Sequence, residues 1–184
     1  MIRTVRAAGV AAALFGFTVS IGTGVNASEG TSASIVPAAQ AAPVLGSLDA
    51  QVSMQARVDT ADQQQDCLAS AVYFEARGES LEGQLAVAEV ILNRVASSRY
   101  PDTVCEVVEQ PWQFSFVNAT GRIPNADRAS QAWSKAVAIA RIAQAGTADA
   151  VDSDVLWYHA DYVSPSWGRR LARQEKIGVH IFYS

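Results

Sequence analysis

Residues 67 to 95 read CLASAVYFEARGESLEGQLAVAEVILNRV, and this stretch decides the fold because it holds two helical stripes separated by a break at Gly78. In its first half, Leu68 and Val72 precede Glu75 by seven and three positions, so a helix places all three on one face. An acid therefore stands on an apolar stripe, where stability alone gives no reason for it. Gly78 is a natural stop just past the helix end, which leaves Glu75 in the last turn. There the negative end of the helix dipole and partial burial favour the protonated acid, while Arg77, two residues on, favours the carboxylate. The sequence leaves the sign of the sum open.

The second half predicts a helix from Leu81 to Ala96, with Ser80 as its N-cap and Glu82 in the favourable first turn. Leu81, Leu85, Ala88, Leu92 and Val95 form one stripe that Val87 and Ile91 widen, so this helix is expected at the centre of the core. Glu82, Glu89 and Asn93 recur on the other side as a solvated or hydrogen-bonded face. The Asn93 amide, beside so much aliphatic surface, is suited to holding a neighbouring loop.

Arg99 to Asp102 ends that helix, and a short helical turn is expected over Thr103 to Val108. The run EQPWQFSFVNATGRIP, residues 109 to 124, is aromatic and turn-rich without helical period. Gln113, Phe114, Ser115 and Phe116 offer rings beside amide and hydroxyl groups, the mixture a sugar ring uses for stacking and hydrogen bonds; equally, Trp112 and Phe114 are suited to plugging a core loop. An Ala-rich helix follows from Asp127 to Ala145, packed through Trp133, Val137 and Ile142 and stopped by Gly146. VLWYHADYV and IGVHIFYS then alternate and are rich in β-branched and aromatic residues, so they read as short strands. The fold class is α+β, mainly helical with a small antiparallel sheet. Tyr158 and His159 fall at the end of the first strand, with Tyr162, Pro165 and Trp167 in the loop beyond it. A histidine in such a place is either structural or part of a site.

Of the 184 residues, 1–27 read as an export signal: Arg3 and Arg6, an apolar stretch from Ala7 to Ile21, then Val25, Asn26 and Ala27 suited to cleavage. Thr18, Ser20, Gly22, Thr23 and Gly24 dilute that stretch below the roughly 18 apolar residues of a spanning helix, so no stable membrane insertion is expected after cleavage. Residues 28–60 resemble a flexible tether in composition, with a loose helix near Leu48 to Val58 as the alternative. Residues 61–184, about 120 in number, suffice for one domain with its own core.

Export bears on the two cysteines, Cys67 and Cys105, since an even pair in an oxidising compartment favours a disulfide over a metal site or a nucleophile. A Cys–His peptidase with His159 or His180 as base is the sharper alternative. The formal net charge of −4 speaks against nucleic acid as a partner. Arg169, Arg170, Arg173 and Lys176 read as a solvated helix face, or else as a contact for an anionic polymer. Two distant histidines and no clustered carboxylates imply no metal, and nothing implies a cofactor.

A lone acid whose surroundings can keep it protonated, in an exported domain with aromatic loops, points to a general acid that protonates the leaving oxygen of a glycosidic bond. Ordinary glycosidases need a second carboxylate. Glu79, Glu82, Asp127 and Asp161 are candidates, none of them with a supporting pattern.

The stretch quoted first, followed in order by YPDTVCEVV, QFSF and WYHADYVSPSW with IGVHIFY, resembles the SleB-type cell wall hydrolase family over residues 64–184. The resemblance implies a lysozyme-like α+β domain that cleaves peptidoglycan glycan strands between N-acetylmuramic acid and N-acetylglucosamine. It implies Glu75, in the YxEARGE motif, as catalytic acid. It also implies a lytic transglycosylase, in which the same Glu then acts as base while the sugar's own 6-hydroxyl closes a 1,6-anhydro ring. Gln113, Phe114 and Ser115 match the QFS segment, and Tyr158, His159 and Trp167 match the YH and PxW positions; the resemblance places them around the glycan. Family members that carry cysteines flanking QFS staple that loop, whereas Trp112 and Asn118 stand here.

The expected protein is thus an exported, periplasmic or extracellular, cell-wall-associated enzyme whose partner is peptidoglycan. The alternatives are a water-using muramidase with a second acid, and a non-catalytic peptidoglycan-binding or envelope-assembly module.

Overall fold

The computed structural model describes residues 46–117 and 121–184. The expected export signal, residues 1–27, and the expected tether as far as residue 45 lie outside the described residues. Of the remaining tether, Leu48–Gln55 forms helix α1, capped by the Ser47 hydroxyl, with Ala50 and Val52 buried. It packs on the later helix Gln131–Ala145, and Gln51 exchanges hydrogen bonds with Thr147 just past that helix: Thr147 Oγ1 donates to Gln51 Oε1 (2.7 Å) and Gln51 Nε2 to the Thr147 carbonyl (3.3 Å).

Helix α2 spans Gln63–Ala76 and α3 spans Leu81–Ala96. Asp62 caps α2, and Ser80 caps α3 by accepting from Gly83 N at 3.2 Å, each satisfying one of the amides that a helix start leaves unpaired. Gly78 stands just past the helix end, as the sequence predicts, though not as a left-handed cap. Arg77 ends α2 in right-handed geometry, Glu79 N returns to the Ala76 carbonyl, and the left-handed glycines lie elsewhere. Helix α3 is buried on two sides, as a central helix must be. Leu85, Val87, Ala88 and Ile91 face the main helical core, while Ala86 and Val90 pack with Val155, Ile177 and Phe182 in a second core.

Helix α4 is the short Val104–Val108, capped by Thr103. Helix α5 is Gln131–Ala145, four residues shorter at its start than the sequence predicts, because Ser130 provides the N-cap. Its end falls as expected at Gly146, with φ 59°. Trp133, Val137 and Ile142 are buried on it as expected. A disulfide joins Cys67 on α2 to Cys105 on α4, so no thiol remains for the Cys–His reading.

Three strands, β1 Trp157–Ala160, β2 Arg173–Ile177 and β3 His180–Tyr183, form an antiparallel sheet in the order β1-β3-β2. The sequence reading missed β2. Arg173 and Lys176 lie on this exposed edge strand, not on a helix face, and the run from Ile177 to Ser184 is broken by a hairpin turn at Gly178 and Val179. Gly178 takes φ 58°, and a Cβ there would collide with Glu79 Oε2, the atom that accepts from Val179 N. The hairpin is thereby fastened to the α2–α3 turn. Asn93 and Glu89 fasten the approach to the sheet: Asn93 Nδ2 donates to the Asp152 and Val155 carbonyls, and Glu89 accepts from Ala150 N and Val151 N. No helix among the described residues is long and apolar enough to cross a membrane.

The disulfide closes a loop with a sequence separation of 38, which the chain-entropy argument values at about 4 kcal/mol. Replacing both cysteines by serine is expected to lower the unfolding free energy in guanidinium titrations by about that amount; an unchanged midpoint would contradict it.

Candidate active site

Glu75 occupies the last turn of α2, half-buried, while Leu68 and Val72 beneath it are fully buried. Burial pushes its carboxyl above the ordinary value of 4.5, and three neighbours act in the opposite direction. Ser115 donates from its hydroxyl (3.5 Å to Oε1) and its backbone amide, Tyr158 donates from its phenol, and the Arg94 guanidinium acts through its charge. The sum is upward, with burial outweighing the three neighbours. The opposing cation is also a different one: Arg77 lies over the Tyr73 ring, 4.8 Å from its centroid, and Arg94 takes the part assigned to it.

Arg94 is 2% exposed on α3. An arginine so deeply placed needs its donors matched and its charge answered. Nε donates to the Leu156 carbonyl at 2.8 Å. The Gln113 carboxamide is assigned with its oxygen toward the guanidinium, where it accepts from Nη1 at 3.0 Å and Nη2 at 3.3 Å. Tyr100 and Phe114 present their rings 5.3 and 5.8 Å from the guanidinium carbon. Burial draws the pKa down, and Tyr158, Tyr100 and Glu75 draw it back up; an arginine keeps its proton throughout. Sequence reasoning passed over this residue. Yet Arg94 follows Val87 and Ile91 by seven and three positions, the same signal that singled out Glu75.

Tyr158 joins the cluster from β1. Burial, and then the charge of the neighbouring carboxylate, hold its phenol well above its ordinary range, so it remains a hydrogen-bond donor. The inner face of the sheet positions it, with Tyr158 5.7 Å from Phe182 and 5.1 Å from His180 between ring centroids.

The sequence-predicted residues divide between two places. Glu75, Gln113, Ser115 and Tyr158 come together. Phe114 is at hand but buried, 3% exposed, as a core anchor, whereas Trp112 is 91% exposed and plugs nothing. Strand alternation sends His159 to the opposite face of the sheet from Tyr158. There His159 stacks on Tyr183 (5.3 Å) and meets Trp167 (5.5 Å), its Nε2 2.9 Å from the Tyr183 hydroxyl.

Three of the four candidate second carboxylates have other engagements. Glu79 caps the hairpin turn, Asp127 accepts from Ala129 N, and Asp161 pairs with Lys176 at 2.6 Å. Glu82 lines a hollow beside Leu48, Asp49 and Asp149. None is among the groups that act most strongly on Glu75.

The fold and the site define a mainly helical, lysozyme-like α+β domain with one desolvated acid at the junction of helices and sheet. The profile of the Cell Wall Hydrolase family matches residues 78–183, beginning just beyond Glu75, and the chain belongs to that family. A spore cortex-lytic enzyme of Oceanobacillus iheyensis is 39% identical over 118 residues, which are 62% of this chain and 39% of the relative. That of Bacillus subtilis is 36% identical over 118 residues, 62% of this chain and 35% of the relative. The match thus spans well under half the length of these curated relatives. Among solved structures, the catalytic domain of the germination-specific lytic transglycosylase SleB from Bacillus anthracis superposes with a TM-score of 0.51 at 35% identity, covering 69% of this chain and 100% of that domain.

A raised pKa means that folding favours the protonated Glu75. Its contribution is whole below the unfolded value near 4.5 and is lost as pH rises through the folded value. Glu75→Gln, which mimics the neutral acid, is therefore expected to raise the melting temperature at pH 7, with the gain shrinking toward pH 4. A gain that grows on acidification would show the sign to be wrong.

Proposed function

We propose that this protein is an exported enzyme that cleaves the glycan strands of peptidoglycan between N-acetylmuramic acid and N-acetylglucosamine as a lytic transglycosylase. Glu75 serves as acid and then as base. The observation that carries the reading is the balance around one carboxyl: desolvation favours its neutral form, while Ser115, Tyr158 and Arg94 stand ready to hold its anion. An acid that must give a proton and take one back within a cycle needs both.

In the first half of the cycle, neutral Glu75 donates its proton to the glycosidic oxygen as the bond to C1 of the muramic residue breaks. The carboxylate left behind accepts hydrogen bonds from Ser115 and Tyr158 and feels the Arg94 charge. In the second half it takes the proton of the muramic 6-hydroxyl as that oxygen bonds to C1. The 1,6-anhydro ring closes, Glu75 is an acid again, and no water is consumed. A single carboxyl suffices, in keeping with the other engagements of Glu79, Asp127 and Asp161. Family membership and the likeness to the SleB catalytic domain support this substrate class. The Cys67–Cys105 disulfide supports an oxidising compartment, and so export by residues 1–27 to the periplasm or beyond. A binding module that has lost turnover would have no use for an acid on an apolar stripe.

Mass spectrometry of fragments released from purified peptidoglycan tests the reading. Muropeptides one water lighter than hydrolysed ones are expected, and Glu75→Gln should cut their release by about 10²- to 10⁴-fold. Reducing-end products would instead mean a hydrolase with a second acid, and undiminished release by the variant would remove Glu75 from the chemistry.

A further inference from the structure

We propose that Trp112 is the stacking platform of a saccharide subsite beside the Glu75 site. This rests on the glycan-cleaving reading and names the residue by which the chain grips a sugar ring. Gln113 N donates to the Gln110 carbonyl at 3.2 Å, closing a turn with Pro111 in its second position and Trp112 in its third. Trp112 has φ 65° and is the one non-glycine residue of positive φ among those described. Proline second with positive φ third is the pattern of a type II turn, whose third position ordinarily takes glycine or asparagine. A bulky residue is strained there. The same residue leaves its indole 91% exposed, although tryptophan is usually well buried. Two unfavourable choices thus coincide at one position, and packing within the domain explains neither.

The loop that carries the indole is held from behind. Phe114 is buried, and Phe116 lies between it and Phe74, with ring centroids 5.5 and 5.1 Å away. Gln113 is tied to Arg94, and Ser115 reaches Glu75. Three residues span at most about 11 Å of chain from Trp112 to Ser115, within reach of a short oligosaccharide seated at the acid. The indole offers a flat apolar face with a polar edge, complementary to the C–H face and hydroxyl rim of a pyranose. From Glu109 to Val117 the loop carries one charged residue, the anion Glu109. That disfavours the carboxylates of a stem peptide and favours a neutral N-acetylated hexosamine as the occupant.

The test uses the full chain with Glu75 intact and follows fragment release against the concentration of purified peptidoglycan. Trp112→Ala and Trp112→Gly are expected to raise the half-saturating concentration about tenfold, and Trp112→Phe, which keeps a flat ring, by less than about threefold. Trp112→Gly relieves the left-handed strain and is expected to melt no lower than the wild type, which separates lost stacking from lost folding. Ala and Gly variants that saturate at the wild-type concentration would overturn the subsite while leaving the role of Glu75 intact. A wild-type chain that releases nothing would instead sink the glycan-cleaving reading, and the subsite with it.

Discussion

One carboxyl group is held between opposing forces where the helices, the aromatic loop and the sheet of this domain meet. Removing Glu75 from water makes its charge costly, and the surrounding donors and cation make the same charge tolerable. Neither side of that balance is local. Desolvation comes with burial of the end of α2 in the fold, the hydroxyl donors from the loop after α4 and from β1, and the cation from α3. The acid can be poised only in the folded chain.

Arg94 has the larger structural consequences. A guanidinium 2% exposed must be matched on all sides, and the matching groups join the parts of the domain to one another. Leu156 is the residue leading into β1, Gln113 fixes the turn behind Trp112, and Tyr100 follows the end of α3. One buried charge thereby sets where the sheet and the aromatic loop meet the helices, the junction at which Glu75 lies. The other sheet fastenings, Asn93 and Glu89 to the preceding loop and Glu79 to the hairpin, serve the same end from the far side of α3 and from its start.

Much of this was legible in the sequence. The stripes of α2 and α3, the Ser80 cap, the Gly146 stop and the loop-holding part of Asn93 follow from local rules of spacing and capping, which tertiary structure left undisturbed. Glu75 was visible because an acid on an apolar stripe contradicts its surroundings. Arg94 carried the identical spacing and was missed because a basic residue in a last helical turn also has an ordinary explanation in the helix dipole. Strand β2 was hidden by its composition, since Arg173, Gln174, Glu175 and Lys176 all lie exposed on an edge strand and show no alternation. Which face of β1 carried the site was also illegible. Tyr158 and His159 are neighbours in sequence and opposites in the sheet, and only the pairing with Phe182 and Ile181 decides which one meets Glu75. The backbone of Trp112 lay beyond sequence rules altogether, because a tryptophan standing where a turn wants glycine runs against propensity.

The central claim is that Glu75 is a desolvated acid whose anion its neighbours can hold, and the most direct measurement is a ¹³C NMR titration of its side-chain carboxyl in wild type and in Ser115→Ala. A midpoint above 4.5 is expected in the wild type, moving further upward when the Ser115 hydroxyl is removed. A wild-type midpoint at or below 4.5, or one indifferent to Ser115, would contradict it.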